Sequence, residues 1–202
     1  MKSLFESASD PIFLDLPDAD IIYYPQFFDK QAADIIFASL AQEIPWQQDE
    51  IRVYGKIHPQ PRLTALFGNE GKSYSYSNIT MQPHPWSLLL QKLKTAIEKV
   101  TDTNFTTVLL NQYRDGKDSN GWHADNEKEL GTNPVIASLS FGAERTFQLK
   151  HNLDKDLKKN IILQHGSLLL MKGTTQHFWK HQIPKTAKTI GPRINGTFRI
   201  IK

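Results

Sequence analysis

In the stretch GWHADNE, residues 121–127, a histidine and an aspartate stand two apart. Side chains alternate faces in extended backbone, so His123 and Asp125 project to one side, within reach of a single ion. The pair makes two thirds of a metal site, and H-x-D recurs by chance, so it needs a third ligand and a use for the metal. The 202 residues include no cysteine, which excludes disulfides, thiolate metal sites and a cysteine nucleophile and leaves His, Asp and Glu as strong ligands. The downstream candidates are His151, His165, His177 and His181. If HFWKHQ is a strand, 177 and 181 share a face by parity. Periodicity does not decide which of the four closes the site, and any one taken alone is more often structural or a surface residue.

A second constellation lies in RINGTFR. As a strand it puts Arg193, Asn195, Thr197 and Arg199 on one face and Ile194 and Phe198 on the other, as a barrel wall requires. Two arginines facing a barrel interior are costly unless each meets an anion. Either they hold the two ends of a small dicarboxylate, or one binds a ligand and the other pairs with a protein carboxylate. Asn111 and Tyr113 in FTTVLLNQY also share a face and can add neutral hydrogen bonds. Two histidines and one aspartate leave three positions of an octahedron open, which suits Fe(II) that binds a bidentate 2-oxo acid and then dioxygen. The dicarboxylate is then 2-oxoglutarate.

Elements must bring these residues together. In DKQAADIIFASLAQEI, Asp29 caps a helix whose apolar face is Ala33, Ile36, Phe37, Leu40 and Ile44. A second helix begins near Pro85, with Leu89, Leu93, Ala96, Ile97 and Val100 on one face. From Phe105 the pattern changes to seven short apolar or alternating runs: FTTVLLNQY, VIASLSFG, RTFQLKH, NIILQ, SLLLMKG, HFWKHQIP and RINGTFRII. The expectation is a mainly β fold with flanking helices, an antiparallel sandwich or barrel in jelly-roll style. Residues 1–28 read as an N-terminal extension. Residues 49–77, rich in turn formers and aromatics, read as loops and hairpins over one end of the barrel. There is no repeat or linker, so 1–202 is taken as one domain.

A 39% hydrophobic and 22% charged composition is that of an ordinary globular protein. No apolar run approaches the roughly 20 residues that span a bilayer, and the N-terminus lacks a signal-peptide block. The expectation is an intracellular monomer without membrane contact, cytoplasmic in a bacterium and nuclear in a eukaryote. The net charge of +3 permits a polyanionic partner. Lys180 to Lys202 holds four lysines, two arginines and no acid.

NQYRDGKDSNGWHADNE, IASLSFGAERTFQL, HGSLLLMKGTTQHFWKHQIPK and PRINGTFR together resemble the AlkB-type Fe(II)/2-oxoglutarate nucleic-acid dealkylases, in order and approximate spacing, from about Val53 to Arg199. The resemblance implies a double-stranded β-helix core with His123, Asp125 and His181 on iron, and makes His177 a neighbour. It implies Asn111 and Tyr113 on 2-oxoglutarate, Arg193 on its distal carboxylate, and Asn195 and Arg199 at the metal-proximal end. The implied chemistry splits 2-oxoglutarate with O2 to succinate and CO2 and hydroxylates an N-methyl group of a damaged base, which then leaves as formaldehyde.

The implied substrate is alkylated DNA, single- or double-stranded, carrying 1-methyladenine or 3-methylcytosine, its target base flipped out of any duplex. VYGKIHPQPR resembles a hairpin that probes the base stack, with Val53 and Tyr54 as an apolar wedge. SYSYS resembles a base pocket in which Tyr76 stacks the base against His123 beside Tyr74 and Ser77, and Arg62 lies at the strand-facing rim. Relatives commonly carry an acid directly after the metal aspartate. This chain has Asn126, which can donate as well as accept, and Glu127 can take over part of that role. RNA demethylation, a dioxygenase acting on protein or small molecules, and a non-catalytic binder that keeps the fold are the competing readings.

Overall fold

The computed structural model describes residues 10–53, 56–72, 74–76 and 79–202. Two antiparallel sheets pack face to face as a double-stranded β-helix, a jelly roll. Strands are numbered in chain order. The major sheet runs β1 (Ile12–Phe13), β2 (Asp20–Tyr24), β13 (Ser167–Lys172), β10 (Ile136–Gly142), β15 (Arg193–Arg199), β8 (Thr107–Tyr113) and β5 (Leu63–Gly68). The minor sheet runs β12 (Lys158–Leu163), β11 (Arg145–His151), β14 (Trp179–Ile183) and β9 (Asn120–His123). Two hairpins stand apart: β3 (Glu50–Val53) with β4 (Lys56–Pro59), and β6 (Tyr74–Tyr76) with β7 (Ile79–Met81).

The major sheet is covered on both faces, so β10, β13 and β15 read as unbroken buried runs, whereas β11 alternates buried and half-buried residues because its outer face meets water. One core lies between the sheets, with Leu109, Leu169 and Met171 against Phe147, Leu163 and Trp179. The other lies between the major sheet and helices α1 (Lys30–Glu43) and α2 (Leu88–Thr101), where Ile36, Leu40, Leu93 and Ile97 meet Ile194 and Phe198. Asp29 caps α1 by accepting from the Ala32 amide at 2.8 Å.

Four differences from the sequence reading have local causes. Helix α2 starts at Leu88, where Ser87 accepts from the Leu90 amide at 3.2 Å, so the side-chain cap and not Pro85 sets the first turn. Val100 is exposed in the last turn of α2, and Leu90 is buried in its place. Strands β2 and β5, in segments read as an extension and as loops, are full members of the major sheet, β2 against β13 and β5 against β8. Residues Thr175–Phe178 form a helical turn, α3, so β14 begins only at Trp179 and parity does not relate 177 to 181.

Candidate active site

The β8–β9 connection delivers the first ligand. Asp118 accepts from the Arg114 backbone amide, Nε and Nη2 at 2.8–2.9 Å, closing the loop RDGKD. Buried Arg145 donates to the carbonyls of Asp118 (2.9 Å) and Pro184 (2.5 Å), tying the approach to β9 to the exit from β14. His123 at the end of β9 therefore faces His181 on β14 as a registered pair, ring centroids 4.3 Å apart. The ligand atoms of His123, Asp125 and His181 all lie within 4.8 Å of one another.

The three are prepared differently. His123 Nδ1 is 2.7 Å from the Gly121 carbonyl, a contact made by the Nδ1–H tautomer, in which the Nε2 lone pair accepts from Asn120 Nδ2 at 3.3 Å and can turn to a metal instead. His181 is stacked on Phe147, and burial pulls its imidazole down to about 3, so it is neutral at physiological pH. Burial pushes the Asp125 carboxyl up, but the Arg199 guanidinium and then the two histidines outweigh it and hold it at about 2. Two imidazole donors and an ionised carboxylate, open on one side to a cavity of about 450 Å³, fit an octahedral Fe(II) with exchangeable positions.

These states set the acid stability of the metal-free protein. The folded pKa of His181 lies below the unfolded value near 6.5, so its contribution is fully present above about pH 6.5 and is lost as pH falls toward 3. Urea unfolding should show stability dropping by about 1.4 kcal/mol per pH unit between about pH 6 and 4 from this group. The same titration of His181→Gln should be flatter; an unchanged slope would remove His181 as the cause.

The remaining histidines are held elsewhere. His165 Nδ1 accepts from the Gly142 amide at 2.8 Å, with its Nε2 3.0 Å from Asp34. His177, on α3, contacts Asn133 Oδ1 at 2.8 Å, and His151 lies 3.5 Å from Asp18.

On β15 the two arginines differ. Arg199 donates from Nη2 to Asp125 Oδ1 at 2.7 Å, so it is the arginine paired with a protein carboxylate. Arg193, also buried, gives Nη2 to Ser140 Oγ at 2.9 Å, while its Nε and Nη1 reach no hydrogen-bond partner among the described residues. Desolvation lowers its pKa only to about 10, leaving a full charge in the cavity wall. Its guanidinium carbon is 5.1 Å from the Tyr113 ring, with Arg145 at 5.6 Å from the same ring. A buried cation with unused donors in the wall of the same cavity fits a carboxylate end of 2-oxoglutarate.

Asn195 donates to Ser138 Oγ and the Leu139 carbonyl, both at 2.8 Å, and accepts from Thr197 Oγ1 at 3.0 Å, so its amide is committed to the wall. Arg62 is corrected: it is not at a rim but buried in the same wall, where Nε donates to Asn111 Oδ1 at 2.8 Å and Nη1 to the Ser119 carbonyl at 3.3 Å. With its oxygen taken, Asn111 offers the cavity its amide N–H donors. Glu127 lines the cavity, whereas Asn126 is exposed beside it. Tyr54 and Ser77 lie outside the described residues, and Val53, Tyr74 and Tyr76 are placed on β3 and β6 by their backbones alone.

Sequence reasoning missed Gln176. From α3 its Oε1 accepts the Asp125 backbone amide at 2.8 Å, a bond buried from water that fixes the chain just past β9. Only the helical turn at 175–178 aims it there, and no motif announces it. Gln176→Leu should weaken Co(II) or Fe(II) binding by about 10- to 100-fold, with Gln176→Glu, which keeps the acceptor, losing less. Equal metal affinity in all three proteins would end this role.

Comparison with known proteins places this geometry. A model of the 2OG-Fe(II) oxygenase superfamily matches residues 20–199. Alpha-ketoglutarate-dependent dioxygenase alkB homolog 3 of Mus musculus is 44% identical over 190 residues, covering 90% of this chain and 66% of the mouse protein. DNA oxidative demethylase ALKBH2 of Homo sapiens is 37% identical over 188 residues, covering 88% of this chain and 72% of the human protein. The chain thus spans slightly less than two thirds of the length of the alkB homolog 3 relatives. Among solved structures, OsALKBH1 superposes with a TM-score of 0.66 at 16% identity, covering 95% of this chain and all of that one, a likeness of fold.

Proposed function

The chain belongs to the 2OG-Fe(II) oxygenase superfamily, and from that premise we propose that it is an oxidative demethylase of N-alkylated bases in DNA, with 1-methyladenine and 3-methylcytosine as substrates. The observation that carries the reading is the convergence of His123, Asp125 and His181 with the buried, underused Arg193 in one cavity. The similarity to ALKBH2, a DNA oxidative demethylase, supports nucleic acid over protein or small-molecule substrates.

Bound Fe(II) and 2-oxoglutarate would supply the O2-dependent hydroxylation of the N-methyl group, with succinate, CO2 and formaldehyde as products. This chain's residues do the holding. His123, Asp125 and His181 provide one face of metal ligands, and Arg199 keeps Asp125 ionised. Arg193, with Tyr113 beside it, takes the distal carboxylate, and Asn111, turned by Arg62, donates to the co-substrate. The inter-sheet core keeps the cavity floor dry, which strengthens each of these charge contacts. The target base enters from the mouth, where Glu127 meets its polar edge. We further propose a monomer of the cell interior; no helix among the described residues is long and apolar enough to cross a membrane.

The test loads the protein anaerobically with Fe(II) and 2-oxoglutarate, then admits air in the presence of methylated DNA or RNA strands. Mass spectrometry should show loss of the methyl carbon, dependent on both iron and 2-oxoglutarate and fastest on DNA. Succinate without demethylation would move the substrate elsewhere, and faster RNA turnover would favour the RNA reading.

A further inference from the structure

The outer face of the minor sheet carries a row of positive charge that nothing in the site accounts for. Lys158 on β12 pairs with Lys150 on β11, and Lys150 pairs with Lys180 on β14, so three lysines stand side by side across adjacent strands. The next row is Asn160, Gln148 and Gln182, neutral throughout, and no outward residue of these strands is acidic. None of the three lysines is in an ion pair among the described residues. Like charges opposite one another destabilise a sheet. Lysine on an edge strand is a common guard against edge-to-edge association, which explains Lys158. Lys150 and Lys180 sit on interior strands, where there is no edge to guard.

The row leads toward the cavity. β9 closes the minor sheet on the side away from β12, with His123 facing the metal cluster and the next residue back, Trp122, exposed on the outside. Lys150 reaches across β14 to place its ammonium 4.4 Å from the Trp122 ring centroid. The positive row therefore runs over β14 to the strand that carries the first metal ligand. It spans two inter-strand steps, about 10 Å. Among the described residues no helix covers this face, unlike the far face of the major sheet.

Resting on the nucleic-acid reading above, we propose that Lys158, Lys150 and Lys180, with Trp122 at the corner, form a track for the phosphate backbone of the single DNA strand whose base occupies the cavity. The nucleotides flanking the target pass over the edge of β9 and lie along the row. The partner is chosen by charge complementarity: evenly spaced cations, neutral amides beside them and an aromatic ring at the turn match a sugar–phosphate chain. Affinity then depends on strand length, since a short substrate fills the cavity without reaching the row.

The experiment uses protein loaded with Mn(II) and 2-oxoglutarate, and fluorescence anisotropy with labelled single-stranded DNA of about 15 and about 4 nucleotides. The triple variant Lys150→Ala/Lys158→Ala/Lys180→Ala is compared with a control of equal charge loss, Lys30→Ala/Lys92→Ala/Lys99→Ala, on the helices behind the major sheet. The track variant should bind the long strand about tenfold more weakly, with a log–log salt slope reduced by about 2, and the short strand as wild type does. The control should bind both as wild type does. Equal losses in track variant and control, or an unchanged affinity for the long strand, would overturn the track. An equal loss on the short strand would also overturn it, by showing that the lysines act through the site. Binding is read without turnover, so a wild-type protein that binds with length dependence but does not demethylate would sink the demethylase reading and leave the track standing.

Discussion

Asp125→Ala is expected to abolish 2-oxoglutarate turnover and also to destabilise the metal-free protein by about 3–5 kcal/mol. The first effect follows from geometry. Loss of a partner that merely orients a metal ligand costs about 10- to 100-fold in affinity, so loss of the one anionic ligand costs more than a hundredfold. The second follows from burial. Asp125 and Arg199 are both buried, 2.7 Å apart, and truncating the acid takes from the guanidinium the carboxylate it is bonded to. The double variant Asp125→Ala/Arg199→Met separates the two, because it should recover much of the stability and none of the metal binding. Thermal unfolding and metal titration of the four proteins of this cycle measure both. Normal turnover in a folded Asp125→Ala would remove Asp125 from the site.

Arg193→Met should act with opposite signs on fold and function. In the metal-free protein the guanidinium is desolvated with two nitrogens unused, so replacing it with an apolar side chain of similar length should raise the free energy of unfolding by about 1–3 kcal/mol. Binding of 2-oxoglutarate should weaken by about two to three orders of magnitude, the usual loss when one partner of a buried charge pair is removed. Isothermal titration with 2-oxoglutarate and a urea melt read the two effects separately. A variant that is less stable and binds normally would place the arginine in the fold alone.

Much of this site was legible in the sequence, for a physical reason. The minor sheet has one wet face, so β11 shows the alternation that locates a strand, and β15 shows polar residues at 193, 195, 197 and 199 against Ile194 and Phe198. Pattern alone could not choose between the two arrangements of Arg193 and Arg199, because pairing depends on where Asp125 falls in space; the observed contact to Arg199 is tertiary. The same limit applies to the third ligand. His177 and His181 looked equivalent only on the assumption of a continuous strand, and the turn at 175–178 breaks it. The short apolar strands DIIYY and LTALFG, set among turn formers, lack both length and alternation, so pattern alone reads the first as part of an extension and the second as loops. Arg62 was misplaced for a related reason, since an arginine in a polar segment reads as surface until a buried acceptor, here Asn111, is seen to meet it.

The most direct test of the assembled site is visible absorption under anaerobic conditions as Fe(II) and then 2-oxoglutarate are added. A 2-oxo acid chelating Fe(II) through its carboxylate and keto oxygen gives a charge-transfer band that neither component gives alone. The wild-type protein should develop that band at one equivalent of each, Asp125→Ala should never develop it, and Arg193→Met should need far more 2-oxoglutarate to reach it. A wild-type protein that stays colourless with saturating iron and 2-oxoglutarate, or an Asp125→Ala protein that colours normally, would contradict the assignment of His123, Asp125, His181 and Arg193 to one catalytic cavity.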